Sequence, residues 1–154
     1  MKVLRRSDDE LVIVDKGWLL RAFGGVFAGI GLLVLLVPHH PGFSGYSLGG
    51  LSFLFGASFI LLPRVTTITF DRGRGTVLLD RVGLVLPEDH RSATLSSIRG
   101  VKIDGGRDGD GETTYRILLE ITGEDPMPFT TYFTSGKAGK QDVADGVRDW
   151  LAKR

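Results

Sequence analysis

The sequence predicts a membrane α-helical hairpin joined to an α+β, mostly β soluble domain, and three observations carry that expectation. Two apolar stretches with almost no charge, Trp18 to Val37 and Tyr46 to Leu62, follow one another closely. After Pro63, apolar residues alternate with polar ones, the period of a half-buried strand. From Ser135 onward, apolar residues recur at the spacing of an amphipathic helix. The chain divides accordingly into an N-terminal cytoplasmic segment 1–17, a first transmembrane helix 18–37, an outer loop 38–45, a second transmembrane helix 46–63 and a cytoplasmic domain 64–154.

In the N-terminal segment, Glu10-Leu-Val-Ile-Val-Asp15 reads as a strand that could join the sheet of the later domain, which would make the helical hairpin an insertion after strand one. The first apolar stretch is interrupted only by Arg21. About 20 apolar residues at ~1.5 Å each cross a ~30 Å hydrocarbon core, and an arginine one turn inside can extend its head to the interface. A signal peptide is the competing reading, but a mixed-charge, β-branched segment precedes the stretch and Pro38-His39-His40-Pro41 follows it in place of a small-residue cleavage site.

The second stretch carries no charge and ends at Pro63-Arg64. Buried core helices are the alternative for either stretch alone, but two in succession would need a larger soluble domain to cover them. Lys2, Arg5, Arg6, Lys16 and Arg21 flank the first stretch, and Arg64, Arg72 and Arg74 follow the second, whereas Pro38 to Gly45 has no lysine or arginine. The positive-inside rule then places both termini in the cytoplasm of an inner or cytoplasmic membrane. Trp18 and Tyr46 suit interfacial anchors.

Small residues mark how the two helices pack. Gly24, Ala28 and Gly31 share one stripe of the first, and Gly45, Gly49, Ser52 and Gly56 one stripe of the second. In lipid, close backbone approach along such stripes drives helix association. A further face bearing Gly25 and Gly29 is available to a partner helix or a second copy.

In the domain, Thr66 to Phe70 and Thr76 to Arg81 flank turn residues 71–75 and read as a β-hairpin. Further strands are expected at Arg91 to Leu95, Ile98 to Ile103, Thr113 to Thr122 and Met127 to Tyr132. The closing helix is expected to start near Ser135 as N-cap and to bury Ala138, Val143, Ala144, Val147, Trp150 and Leu151. Gly139 and Gly146 weaken it by up to ~1 kcal/mol each, so docking must stabilise it.

This order of strands and helix, with Phe70-Asp71-Arg72-x-x-Gly75 and Leu95-Ser96-Ser97-Ile98-x-x-Val101, resembles the pleckstrin-homology-like (PH-like) domains of small bacterial membrane proteins with two helices. The resemblance covers Val65 to Leu151 and the preceding helices. It implies an antiparallel barrel or curved sheet capped by a C-terminal helix and used for protein interaction or as a scaffold, without catalysis. Headgroup binding is common in eukaryotic relatives, but no lipid-site residue carries over from them. Arg72, Arg74 and Arg81 are lipid or anion candidates on their own charge.

The chemistry excluded or set aside is broad. A formal net charge of +1 with mixed signs gives no field to attract nucleic acid. The absence of cysteine removes thiolate catalysis and Cys-ligated metals. Asp108, Asp110 and Glu112 alternate as calcium ligands do, but counting from Asp108 puts Thr113 at the turn-glycine position and Leu119 at the bidentate-glutamate position. His39 and His40 lack acidic neighbours in their loop, and His90 has no nucleophile motif around it. Ser135-Gly136-Lys137 lacks the upstream glycine and the following Ser or Thr of a phosphate loop, which leaves Lys137 with the helix N-terminus as an anion candidate. With no catalytic set, metal or cofactor at a recognisable spacing, the expectation is a non-enzymatic membrane-anchored interaction module, an accessory or assembly subunit of a membrane complex with a membrane-protein partner or in a homo-oligomer. The alternative is a module that binds anionic membrane lipids.

Overall fold

The structure is a computed structural model that describes residues 1–37, 45–107, 109, 111, 113–130 and 133–153. It is mixed α+β, with two antiparallel sheets and a C-terminal helix. The chain forms two compact units: Met1–Asp15, Thr66–Arg81 and Asp89–Arg154 make one, and Lys16–Val65 with Val82–Glu88 make the other.

In the first unit, β1 (Lys2–Arg6), β2 (Glu10–Asp15), β3 (Val65–Asp71), β4 (Thr76–Val82) and β5 (Asp89–Thr94) form a five-stranded sheet in that order. The N-terminal segment thus supplies two strands. Glu10 to Asp15 pairs in register with Asp71 to Thr66, so the helical segment is an insertion between neighbouring strands. Ser7 shapes the β1–β2 turn, its Oγ accepting from the Glu10 amide at 2.9 Å. At the β3–β4 turn, Gly75 takes φ 66°, which L side chains avoid.

The second sheet contains β6 (Ile98–Arg107), β7 (Thr113–Ile121) and β8 (Met127–Pro128). Among the described residues the sheets do not close into a barrel. The physical reasons are local. Between β5 and β6 a 3₁₀ turn at Leu95–Ser97 interrupts the ladder, with the Leu95 amide donating to the Gly75 carbonyl. The strand expected from Met127 to Tyr132 is only Met127–Pro128, after which the Phe129 amide still donates to the Ile117 carbonyl at 2.9 Å; Thr131 and Tyr132 lie outside the described residues.

Helix α3 (Lys137–Ala152) begins two residues after the expected cap. Gly136, at φ 89°, is the N-cap and no side chain caps the helix. The alternation of β2, β3, β4 and β7 directs Leu11, Ile13, Ile68, Phe70, Val77, Leu79, Ile117 and Leu119 inward, where they meet Val143, Ala144, Val147 and Trp150 of α3 in one core.

The second unit contains α1 (Trp18–Leu36) and α2 (Gly45–Leu61). At 19 residues and a mean hydropathy of 2.2, α1 is long and apolar enough to cross a membrane, and 11% of that window is buried. Helix α2 is apolar but shorter, at 17 residues. Residues 38–44, which join the helices and include His39 and His40, lie outside the described residues.

Candidate functional site

The first candidate surface is built by α1 and α2. They run antiparallel, because Gly24 faces Gly56 and Phe59 while Gly31 faces Gly49 and Phe53. A β-carbon on Gly24 would lie 2.6 Å from the Gly56 carbonyl oxygen, and one on Gly56 would lie 2.6 Å from that of Gly24. Only glycine permits this approach. Ala28 lies against Gly56, and the Ser52 hydroxyl donates to the Phe27 carbonyl at 3.2 Å. Gly45 opens α2.

Sequence reasoning passed over an aromatic ladder beside this seam. Phe23 and Phe27 approach at 4.6 Å between ring centroids, Phe55 and Phe59 at 4.9 Å, and the two pairs interlock across the helices at 5.6 Å. Their i, i+4 spacing was the available signal. At one end of the pair, Arg21 Nη2 donates to the Pro63 carbonyl at 3.2 Å. The opposite faces remain apolar and exposed, through Leu19, Val26, Leu33 and Leu36 of α1 and Leu48, Leu51 and Leu54 of α2. A β-carbon added at Gly25, Gly29 or Gly50 would meet nothing within 4 Å.

The second candidate surface is the set of cations in the sheet unit, and the structure separates them. Arg81 is a correction to the surface reading: it is 3% exposed, with Nη1 2.6 Å from Asp89 Oδ2 and Nη2 donating to the Pro128 carbonyl. It follows Val77 and Leu79 on the inward face of β4. Arg72 is likewise engaged. Its guanidinium lies 4.2 Å from the Trp150 ring centroid, Nη1 donates to the Asp8 carbonyl at 2.5 Å and Nη2 to the Trp150 carbonyl. Arg74 stays exposed beside Asp71, at 3.6 Å.

Lys137 Nζ lies 5.7 Å from the Tyr115 ring centroid, so these cations do not converge on one point. A shallow open groove of about 450 Å³ is lined by Arg72, Gly75, Leu95, Ser96 and Lys153. Removing one partner of a buried ion pair usually costs about 3–5 kcal/mol. Because Asp89 is partly solvated, Asp89→Ala is expected to destabilise by about 2–3 kcal/mol, and adding Arg81→Met should recover part of that loss in chemical denaturation.

Lys140 is a buried cation that sequence reasoning did not single out. It is 8% exposed, and its ammonium donates to the carbonyls of Thr134 and of Ser135, the latter at 3.0 Å. Burial holds its pKa below the ordinary 10.5, and the Asp15 carboxylate opposes that shift. Between the lowered pKa and 10.5, the unfolded chain binds the proton more tightly than the fold does, so stability rises with pH across that window. Lys140→Met should remove this rise, as read by the difference between the two proteins' denaturation midpoints through the alkaline range.

His90 Nδ1 pairs with Asp80 Oδ1 at 2.8 Å across β4 and β5, both on exposed positions. Asp108, Asp110 and Glu112 lie outside the described residues; among those described, no three His, Asp or Glu side chains come together as metal ligands. In comparison with known proteins, no family model matches this chain, and no curated protein matches it.

Proposed function

We propose that this protein is a non-enzymatic, membrane-anchored interaction module, an accessory or assembly subunit whose α1 and α2 both cross the bilayer and whose termini are cytoplasmic. The observation that carries the reading is the helix pair: its two helices meet through glycine and phenylalanine, while exposed leucine and valine cover the other faces. A helix serving as the core of a soluble domain would bury those faces. In lipid they need no cover, and small-residue contact supplies the association. Two antiparallel sheets with a C-terminal helix support a PH-like reading of the cytoplasmic part.

Partner binding through a membrane helix is favoured at Gly25 and Gly29, where added volume meets no atom of the chain itself. The test is extraction of the tagged protein in mild detergent, with mass by size exclusion and co-purifying proteins by mass spectrometry. A stoichiometric complex that a Gly25→Leu/Gly29→Leu variant loses, while the helix pair stays intact, supports the subunit reading. A lone chain carrying anionic lipid sinks it in favour of headgroup binding. Charge reversal for the lipid reading belongs at Arg74, because reversal at Arg72 or Arg81 would break internal bonds.

A further inference from the structure

From the last residue of β4 to the start of β5 the chain reads Val82-Gly-Leu-Val-Leu-Pro-Glu88. It has no charge from Val82 to Pro87, and its apolar side chains are turned outward: Leu84 is 69% and Val85 62% exposed, with Val82 and Leu86 also exposed. An isolated exposed leucine is ordinary in a soluble protein, but a contiguous cluster marks a contact surface. Among the described residues, nothing buries this one.

Its position says what covers it. Val82–Glu88 belongs to the same compact unit as α1 and α2. Gly83 packs on Arg64, just past the end of α2, so closely that a β-carbon there would lie 3.1 Å from Arg64 Cγ. Arg21 is bonded to Pro63 at this same end, and Trp18 begins α1 there. The loop therefore sits beside the Trp18, Arg21, Pro63 and Arg64 end of the helix pair. Tryptophan and arginine at the end of an apolar helix mark the headgroup layer, and an apolar segment held at that level adjoins the acyl boundary.

We propose that Val82–Pro87 is an interfacial membrane anchor whose Leu84, Val85 and Leu86 enter the bilayer at the headgroup–acyl boundary. This rests on the reading of α1 as a membrane span and extends it: the strand connection β4–β5 becomes a third point of attachment beside the two helices. Lipid is the favoured occupant over a protein partner because the loop lies in the same unit as α1 and α2 and packs at Arg64 beside their ends, where Leu19 and Leu62 are also exposed. Glu88, at the loop's end, marks where the segment returns to water.

The chain has no cysteine, so single-cysteine variants need no background removal. Val85→Cys, Leu33→Cys and Arg74→Cys in the full chain are spin-labelled, reconstituted into vesicles of mixed neutral and anionic phospholipid, and compared for collision with oxygen and with a water-soluble nickel chelate. The expected result is an oxygen-to-nickel accessibility ratio at position 85 several-fold above that at position 74, approaching that at position 33. A label at 85 that collides with nickel as freely as the one at 74 overturns the anchor, as does one closed to both reagents, which would mean cover by protein. If position 33 itself reads as aqueous, the membrane reading falls and the anchor with it; if 33 reads as lipid and 85 as water, only the anchor falls.

Discussion

Gly56→Ala is expected to destabilise the α1–α2 pair by about 2–3 kcal/mol, the upper part of the usual range for overpacking a close-packed contact. The added methyl would lie 2.6 Å from the Gly24 carbonyl oxygen and against the backbone of Ala28. Backbone atoms cannot rotate aside as a side-chain tip can, so the helices must move apart, loosening the Phe23–Phe59 and Phe27–Phe55 contacts as well. Gly31→Ala should behave similarly, its methyl falling 2.7 Å from the Gly49 carbonyl. Gly29→Ala is the control, because nothing lies within 4 Å of its added carbon. Denaturation midpoints in a defined detergent should fall for positions 56 and 31 and hold for 29; equal effects at all three would point to helix propensity in place of packing.

In the sheet unit the largest loss is expected from Trp150→Ala. Trp150 is 2% exposed and meets Phe70 at 6.0 Å between ring centroids. Its indole N–H donates to the Ser7 carbonyl at 2.8 Å, and its ring carries the Arg72 guanidinium. One side chain thus links α3 to β3 and to the β1–β2 turn. Truncating a buried tryptophan costs about 3–5 kcal/mol, and at about 4–8 °C per kcal/mol for a unit of this size the melting midpoint should drop by roughly 12–40 °C. Trp150→Phe keeps most of the volume but loses the bond to Ser7, so it should cost about 1–2 kcal/mol and raise amide exchange in the β1–β2 turn first. Loss of stability without any change at that turn would show that the indole N–H does not hold the N-terminal strands.

The parts of this fold that were legible in the sequence are those with short-range periodicity. The apolar stretches of α1 and α2, the alternation of β3, β4 and β7 and the stripe of α3 all follow from residues a few positions apart. Strand β1 was not legible: in Lys-Val-Leu-Arg-Arg only Val3 is even half-buried, so no alternation marks it as a strand. The division into two sheets depends on pairings distant in sequence, which periodicity does not encode.

Among the site candidates, Arg81 shows how charge can mislead. Its period-two relation to Val77 and Leu79 pointed inward, and the structure buries it against Asp89, where its charge stabilises the fold in place of attracting an anion. The start of α3 differs as well: Ser135 is the expected N-cap, and Gly136 takes that place with a left-handed backbone. The loop at Val82–Pro87 carries no periodic signal, and its exposed leucines acquire meaning only beside Arg64.

In the proposed topology α1 and α2 cross a membrane together and leave both termini in the cytoplasm. Its most direct test is impermeant maleimide labelling of Lys2→Cys, Tyr46→Cys and Lys153→Cys in intact cells and in permeabilised ones, the natural chain having no cysteine. Tyr46→Cys, at the start of α2 and exposed, is expected to react in intact cells, whereas Lys2→Cys and Lys153→Cys react only after permeabilisation. Equal reactivity of all three in either condition, or recovery of the chain in the soluble fraction, would contradict it.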